Sequence, residues 1–307
     1  MSDERVMTWE RTAPHLICPK CGERLAAQSG ALICPRRHTF DIARDGYVNL
    51  LLNVGSGRGM MGDSRAMLQA RRRFLDRGHY QPLAQSVVEQ VADTLNRPST
   101  QVIAPSREVQ RLVDVGCGEG YYLGQLAEHL GTDESTFFFG LDVAKDAARL
   151  AAKRYRRAHF VVADAWRHLP FPDDSVDVLL NLFAPRNASE FARVAAPDGL
   201  LLVVVPTERH LIEVRVHLQG TVPFLRIEEE KEERMIRQLA ATFDLQGDRH
   251  LEYGIDLTPA DVVDLVEMTP SARHLSGDDR ARLQHVSGLR ATVSVSILSF
   301  RRNATRR

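Results

Sequence analysis

Short apolar runs recur through the middle of the chain, and several of them contain or end at an acidic residue. They cover 112–115, 137–141, 160–163, 176–182 and 200–205. Runs that are apolar almost throughout are typical of strands covered on both faces, as in a parallel sheet. The pattern therefore predicts a series of strands that share one buried sheet.

Helical patterns separate these runs, as at 121–130 and 187–195. Repetition of strand, helix and strand favours right-handed crossovers and hence a parallel sheet with helices on its faces. The segment 291–300 alternates between apolar and polar residues, which predicts a late antiparallel strand. We therefore expect an α/β fold that begins at about residue 107.

A glycine-rich loop follows the first of these runs. Gly116, Gly118 and Gly120 come directly after Asp114, between the predicted strand and the helical pattern at 121–130. Glycine lets the backbone approach a ligand closely and adopt positive φ. The Gly-x-Gly-x-Gly spacing differs from the dinucleotide-binding pattern and resembles the first motif of class I S-adenosylmethionine (AdoMet) methyltransferases, although a plain turn would look similar.

The resemblance implies a Rossmann-like, mostly parallel, seven-stranded sheet and an AdoMet site. Asp142 ends the next run about 20 residues past Gly120, where a ribose-binding carboxylate is expected. Asp164 ends the third run, at the position that lies beside the adenine in such enzymes. Each acid could instead cap its own strand or turn. The expected cofactor residues are Asp114, Gly116, Cys117, Gly118, Gly120, Asp142, Val143, Asp164, Ala165 and Trp166.

Three cysteines and a histidine near the start of the chain have the spacing of a zinc site. Cys18 and Cys21 form a CxxC pair, and Cys34 is followed four positions later by His38. Three thiolates and one imidazole make a closed tetrahedral set, which suits structural rather than catalytic Zn²⁺. The alternative is that these are buried small residues and a surface histidine. A disulfide scaffold is not expected in a chain with a large core.

Composition limits the possible partners and location. Lysine plus arginine and aspartate plus glutamate both number 40, so the chain lacks an overall basic field. No apolar run approaches ~18 residues, and the N-terminus lacks a secretory pattern. We expect a cytoplasmic protein without membrane or DNA partners. The predicted parts are a zinc-binding module at 1–52, a flexible glycine-rich linker with a helical connector at 53–106, and a methyltransferase domain at 107–307.

Three longer strings carry a more specific resemblance. The segments 34–51, 74–80 and 268–270 resemble the bacterial 23S rRNA guanine-N1 methyltransferases, and the similarity extends from about residue 16 to residue 299. Segments 181–187 and 293–296 resemble the Gram-positive branch, which includes a tylosin-resistance methyltransferase, whereas Cys117 resembles the other branch.

The family resemblance implies a reaction and partners. Its two branches methylate neighbouring guanines in the helix 35 hairpin of domain II, and the guanine-748 type is favoured here over the guanine-745 type. It also implies that the zinc-binding module at 1–52 is an RNA-recognition module, that the protein is a homodimer, and that it contributes to macrolide (tylosin) resistance. Guanine N1 lies on the Watson–Crick edge, so the target base must leave its pair.

The segment after the fourth strand is expected to face the methyl group. Asn181 could hydrogen-bond the base edge, Phe183 could stack on the base, and Pro185 lies beside them. Phe183 could alternatively pack in the core. His210 is a speculative catalytic residue for which a structural role is the simpler interpretation. The candidate phosphate ligands, each of which could also be an ordinary solvated charge, are Lys20, Arg36, Arg37, Arg44, Arg71, Arg72 and Arg73.

Two other functions fit parts of the pattern. The segment 169–177 also occurs in enzymes that methylate small metabolites, and a non-enzymatic protein could use an inactive cofactor fold to bind rRNA. The zinc module favours an RNA substrate. A chain lacking the residues before Ser64 is expected to lose RNA methylation but to keep a metabolite activity.

Overall fold

The computed structural model describes residues 9–52, 62–95, 109–130, 135–220, 222 and 231–303. Residues 53–61 and 96–106 of the predicted linker and connector at 53–106 lie outside the described residues. Within the described ranges, none of the helices has the length and apolar character needed to span a bilayer.

The strands are β1 (Ala26–Gln28), β2 (Ala31–Ile33), β3 (Thr39–Asp41), β4 (Val48–Asn49), β5 (Gln110–Val115), β6 (Thr136–Asp142), β7 (Ala158–Val162), β8 (Val176–Leu182), β9 (Ala195–Pro206), β10 (Phe243–Leu257) and β11 (Leu289–Arg302). The α-helices are α1 (Arg65–Asp76), α2 (Gln81–Leu95), α3 (Tyr121–Leu130), α4 (Lys145–Arg154), α5 (Ala188–Val194), α6 (Ile212–His217), α7 (Lys231–Leu239), α8 (Pro259–Glu267) and α9 (Gly277–Leu283). Two 3₁₀ turns cover Ala13–His15 and Pro270–His274.

The described residues form one large sheet of eight strands in the order β10-β11-β9-β8-β5-β6-β7-β4. β4 to β9 run parallel, and β10 and β11 are antiparallel to each other, with β11 also antiparallel to β9. Seven of these strands match the expected methyltransferase sheet. The additional strand, β4, comes from the N-terminal segment and pairs with β7, where the Leu50 amide donates to Val162 O at 3.0 Å.

The chain reverses direction across the sheet at β5. From β5 it proceeds to β6 and β7 on one side, and then returns to β8 and β9 on the other. The carboxyl ends of these parallel strands meet at one edge, which brings together the segments that follow Val115, Asp142 and Leu182. Such a switch point is the usual ligand site of an open α/β sheet.

The N-terminal segment covers part of one face of this sheet. It contains the small antiparallel sheet β1-β2-β3, and its buried side chains include Trp9, Leu16 and Leu32. These side chains share one apolar core with Val113 of β5 and Phe139 of β6. In the described loop 163–175 between β7 and β8 there is no helix, so the N-terminal segment supplies cover that a crossover helix would otherwise provide. The N-terminal segment is therefore packed directly against the large sheet.

Polar contacts also link the N-terminal segment to the sheet. Ile17 N donates to Pro170 O at 3.0 Å, and Arg111 Nε donates to His15 Nδ1 at 2.9 Å. Thr12 Oγ1 lies 3.2 Å from His159 Nε2. The ring of Trp9 packs edge-on against the His159 imidazole at a centroid distance of 4.9 Å. Buried polar groups with partners hold the segment in one orientation.

Helices α1 and α2 belong to the segment predicted as a connector, but they pack against the large sheet. Phe74 of α1 and Leu83 of α2 lie in the same core as Leu112 and Phe138 of the sheet. α1 also packs on α8, where Arg73 Nη2 lies 2.5 Å from Asp264 Oδ1. The two helices are therefore a layer of the catalytic domain.

Next to Arg73, two further side chains meet the same helix. Arg77 Nη1 lies 2.7 Å from Asp264 Oδ2 and 3.0 Å from Asp261 Oδ1, and His79 Nε2 lies 3.0 Å from Asp261 Oδ1. Asp261 also closes the capping box of α8 by accepting hydrogen bonds from Thr258. These ion pairs hold the segment 74–80 against α8, which directly precedes residues 268–270.

The interface between the N-terminal segment and the sheet should make the fold sensitive to acid. Burial, with the charge of nearby Arg111, lowers the pKa of His15 to about 4, and burial, with the charge of His15, lowers the pKa of His159 to about 4. The unfolded chain takes up these protons near pH 6.5, so stability should fall as the pH drops from about 6.5 to about 4. One pKa unit corresponds to about 1.4 kcal/mol, so His159 contributes at most about 3 kcal/mol to this loss.

Urea unfolding at several pH values between 7.5 and 4 measures this loss. The variant H159Q, which removes the titrating group, should flatten the dependence of the unfolding free energy on pH. H129Q, which changes an exposed histidine on α3, should leave the slope as in the parent protein. An unchanged slope in H159Q would show that His159 does not carry the effect.

Candidate functional site

The glycine loop joins β5 to α3 at the switch point, as its position in the sequence predicts. Gly116, Gly118 and Gly120 have φ of +84°, +56° and +84°, a region that side-chain-bearing residues rarely adopt. A Cβ at Gly116 would lie 2.4 Å from the Cβ of Ala184. Glycine is therefore required at Gly116 both for the turn and for the close approach of the loop after β8.

Asp142 fixes the glycine loop against the end of β6. Its Oδ2 accepts a hydrogen bond from the Gly118 amide at 2.9 Å, and its Oδ1 accepts one from the Ala144 amide at 2.8 Å. Each carboxylate oxygen can accept a second hydrogen bond, so these contacts leave capacity for ribose hydroxyls. Asp142 thus caps its own strand end, and its contact with ribose stays a prediction, as does that of its neighbour Val143.

Asp114 is buried beside Asp142. Burial, together with the charge of Asp142, raises the pKa of Asp114 to about 8, and burial likewise raises the pKa of Asp142. A buried acid next to a half-buried one favours a positively charged ligand, since a cation would offset the repulsion between them. AdoMet has a sulfonium and an ammonium group, so the charge of this site fits it.

Asp164 and Trp166 form a turn at the end of β7. Asp164 Oδ1 accepts a hydrogen bond from the Trp166 amide at 2.9 Å, which is the turn-capping arrangement considered for this acid. The Trp166 side chain is 54% exposed, and Ala165 lies between the two. The turn presents a large aromatic surface at the edge of the sheet, while the adenine contacts of these residues stay predictions.

Asn181 has a different role from the one predicted for it. Its side chain is 0% exposed, and its Nδ2 donates to Pro185 O at 2.9 Å and to Val115 O at 3.3 Å. Its Oδ1 accepts from Arg186 Nε at 3.0 Å. Because the whole amide is used within the protein, Asn181 is not placed to hydrogen-bond a base, and it instead holds the loop 183–186 against β5.

Phe183 is placed at the surface of this loop. It has φ of +53° and is 41% exposed, so the alternative of core packing does not apply. Its ring centroid lies 6.2 Å from that of Tyr80 and 6.0 Å from that of His210. A phenylalanine in the left-handed region is uncommon, and such conformations concentrate at functional sites. Pro185, two residues later, is also exposed.

His210 packs beside Phe183, and both of its ring nitrogens have partners within the protein. Its Nδ1 accepts a hydrogen bond from the Ser294 amide at 3.2 Å, so its proton is on Nε2, which donates to Tyr80 Oη at 3.1 Å. Burial lowers the pKa of His210 to about 4. A neutral imidazole with both nitrogens occupied has a structural role.

The three consecutive arginines of α1 form ion pairs within the protein, and their contacts with RNA phosphates stay predictions. Arg71 pairs with Asp63 at 2.6 Å, Arg72 with Glu119 at 3.4 Å, and Arg73 with Asp264 at 2.5 Å.

Glu119 was not among the site residues predicted from the sequence. It lies in the glycine loop, is buried, and has its pKa raised by burial, and its only sequence signal was its place between two glycines. The remaining predicted phosphate ligands, all exposed on the N-terminal segment, are Lys20, Arg36, Arg37 and Arg44.

The four predicted zinc ligands meet in the N-terminal segment. Their ligand atoms all lie within 4.8 Å of one another, with Cys21 Sγ 3.6 Å from Cys34 Sγ, and His38 Nδ1 3.4 Å from Cys18 Sγ and 3.5 Å from Cys34 Sγ. A tetrahedral ion with Zn–S bonds of ~2.3 Å places its ligands ~3.8 Å apart, so the set fits Zn²⁺. Four protein ligands close the coordination sphere, and the site is structural.

Two segments of the chain match models of known protein families. Residues 16–52 match the family model described as "RlmA, N-terminal", a zinc ribbon, and residues 112–199 match a methyltransferase domain. The methyltransferase match implies AdoMet as the cofactor, which agrees with the glycine loop and the acidic strand ends.

Full-length relatives are also similar. The chain is 40% identical over 292 residues to a Micromonospora griseorubida protein assigned as a 23S rRNA (guanine-N(1)-)-methyltransferase, covering 92% of this chain and 94% of the relative. It is 37% identical over 268 residues to the 23S rRNA (guanine(748)-N(1))-methyltransferase of Streptomyces fradiae, covering 87% and 89%. A Bacillus subtilis protein assigned the guanine-N(1) activity is 31% identical over 285 residues, covering 92% and 95%.

Loss of zinc should destabilise the whole chain. Cys18 and Cys34 lie in the same core as the sheet strands, so the variant C21S, or zinc chelation, should lower the melting temperature in one cooperative transition. We expect a decrease of about 10 °C or more, since structural zinc contributes several kcal/mol and 1 kcal/mol shifts a domain of this size by about 2–4 °C. Calorimetry with zinc analysis measures both quantities.

The variant C117S provides the control. It removes a buried thiol of the glycine loop that lies outside the zinc cluster, and it should retain one zinc per chain. Two separate transitions in C21S would contradict the shared core.

Proposed function

The chain belongs to the family of 23S rRNA (guanine-N(1))-methyltransferases, and we propose that it methylates guanine N1 in the helix 35 hairpin of domain II of 23S rRNA. The carrying observation is the fusion of an "RlmA, N-terminal" zinc ribbon to the face of a methyltransferase sheet. The guanine-748 type is favoured over the guanine-745 type, because the Streptomyces fradiae relative that is named for guanine 748 is similar over most of both chains.

The geometry supports methyl transfer to a base removed from its pair. AdoMet, when bound, supplies a methyl group on a sulfonium, and Asp114, Asp142 and the glycine loop are the residues that would hold it. Phe183 precedes Ala184, which meets Gly116 of the glycine loop, and it presents an exposed ring on which an extruded guanine could stack. Methyl transfer would form the bond from N1 to the methyl carbon as the carbon–sulfur bond breaks, and the N1 proton would pass to water. Alignment of the two atoms, more than a strong base, would set the rate.

The zinc ribbon would contact the RNA backbone. Lys20, Arg36 and Arg37 are exposed there, and none of the three has an ion pair within the described part of the chain. Arg44 is exposed on the same segment. With equal numbers of acidic and basic residues overall, such local clusters would provide the phosphate contacts.

The family resemblance extends the proposal to the assembly and the biological role. A homodimer would join two chains around one RNA, and an rRNA substrate would place the protein in the cytoplasm, with no membrane or DNA partner. A methyl group on the domain II hairpin would contribute to macrolide (tylosin) resistance.

Two alternatives are weaker. A metabolite methyltransferase has little use for exposed arginines on a zinc ribbon. A deletion before Ser64 does not separate the two functions, because it would uncover the apolar face of Val113 and Phe139 and destabilise the enzyme itself. A non-catalytic rRNA-binding protein would not need the glycine turn and the acid pair to be kept together.

Primer extension tests the proposal directly. Domain II of 23S rRNA incubated with the protein and AdoMet should give an AdoMet-dependent stop, since a methyl group on N1 blocks Watson–Crick pairing. The position of the stop distinguishes guanine 748 from guanine 745. The absence of a stop, with AdoMet binding intact, would reject the rRNA assignment and favour a metabolite substrate.

Substitution of Phe183 tests the stacking role. F183A should reduce the rate of RNA methylation about 10- to 100-fold, because stacking of a base on an aromatic ring contributes about 1–3 kcal/mol. F183Y keeps the ring and should retain most of the activity. Single-turnover kinetics, with the AdoMet dissociation constant measured in parallel, would show the change. Equal rates for F183A and the parent protein would contradict stacking.

A further inference from the structure

Four acidic side chains lie around the glycine loop. Asp114 and Asp142 lie at the strand ends, Glu119 is buried in the loop, and Asp63 is close enough to add to the repulsion at Asp142. The methionine part of AdoMet carries a carboxylate as well as its two cationic groups. A carboxylate that approaches four acids needs a cation in the same place.

Arg71 of α1 supplies a cation at this loop. A Cβ built on Gly118 would lie 3.0 Å from its Nη1, so the guanidinium lies directly against the glycine backbone. Its charge partly offsets the rise in pKa that burial causes at Asp142 and Glu119. The side chain is 26% exposed and is therefore accessible to a ligand.

Two fixed partners orient the guanidinium. Nη2 donates to Met268 O at 3.0 Å and lies 2.6 Å from Asp63 Oδ2. Met268 follows α8 and Asp63 precedes α1, so two separate parts of the chain hold one edge of the planar group. The Nη1 edge is left to face Gly118. The Nη1 group can donate a charge-assisted hydrogen bond to a carboxylate that lies at the glycine loop.

The neighbouring arginines point elsewhere. Arg72 contacts Glu119 and donates from Nη2 to Leu150 O at 3.1 Å, on the side of α4. Arg73 pairs with Asp264 on α8 and is 51% exposed. Arg72 therefore reaches the loop only at the Glu119 side chain, whereas Arg71 is the arginine that lies against the Gly118 backbone.

We propose that Arg71 binds the carboxylate of the methionine part of AdoMet and so fixes the cofactor on the glycine loop. Asp63 keeps the guanidinium in place, and the Met268 carbonyl, in the string at 268–270, sets its angle. The inference rests on AdoMet being the cofactor, as in the proposed function, and does not depend on the RNA substrate. Arg71 thereby moves from the predicted RNA face to the cofactor site.

The test compares two ligands that differ only in this carboxylate. Isothermal titration calorimetry, without RNA, measures the dissociation constants of AdoMet and of decarboxylated AdoMet for the full chain. In R71M, which keeps the length but not the charge, the AdoMet constant should rise about 10- to 100-fold, as for the loss of a hydrogen bond between charged groups. The constant for decarboxylated AdoMet should stay within about threefold of that for the parent protein. R71K should bind AdoMet with an intermediate constant.

The matched control is R73M, which removes the same charge from the same helix and should leave both constants within about threefold. Comparing two ligands on one sample also cancels any unfolded fraction. If R71M weakens the binding of both ligands equally, the proposal is overturned, and Arg71 instead stabilises the conformation of the glycine loop. Unchanged AdoMet binding with weakened RNA binding would overturn it in favour of a phosphate contact. A failure of RNA methylation by a protein that binds AdoMet would bear on the substrate alone.

Discussion

The fold depends on covering both faces of a mostly parallel sheet. Parallel strands are apolar on both sides, and each uncovered side chain loses about 1.5–3 kcal/mol of burial. Helices α1, α2 and α3 cover one face around Leu112 and Phe138. On the other face the cover near β6 and β7 is the zinc-binding segment, whose Trp9, Leu16 and Leu32 complete the core. Because the metal holds that segment in shape, it also stabilises the sheet that carries the glycine loop.

The switch point concentrates charge where the strands end. Asp114 is buried at the end of β5, and Asp142 accepts a hydrogen bond from the Gly118 amide of the glycine loop. Long arginine side chains come to this edge from α1 and from the loop after β8. Each guanidinium has a distinct partner: a carbonyl and an acid for Arg71, and an amide oxygen for Arg186. The loop after β8 keeps its unusual backbone at Phe183 because Asn181 and Arg186 tie its ends together.

Much of this arrangement could be predicted from local patterns. The runs that end at Asp142 and Asp164, the three glycines and the Cys-Cys-Cys-His spacing each lie within a few residues, so strand ends and metal ligands follow from short-range rules. The partners of Asn181, Arg71 and His210 could not be predicted in this way. Each depends on contacts between segments far apart in the chain, such as Arg71 with Met268, and a long side chain can serve several partners. The pairing of β4 with β7 also went unpredicted, because two residues give no periodic signal.

The shared core has a consequence for how such a protein can change over time. A recognition module that is joined to an enzyme only by a linker can be exchanged between enzymes, because it shares no core with them. Here the surfaces of Leu16 and Leu32 must match those of Val113 and Phe139, and β4 must match the edge of β7. Substitutions on one side therefore constrain those on the other, and the ribbon and the sheet are inherited together as one unit.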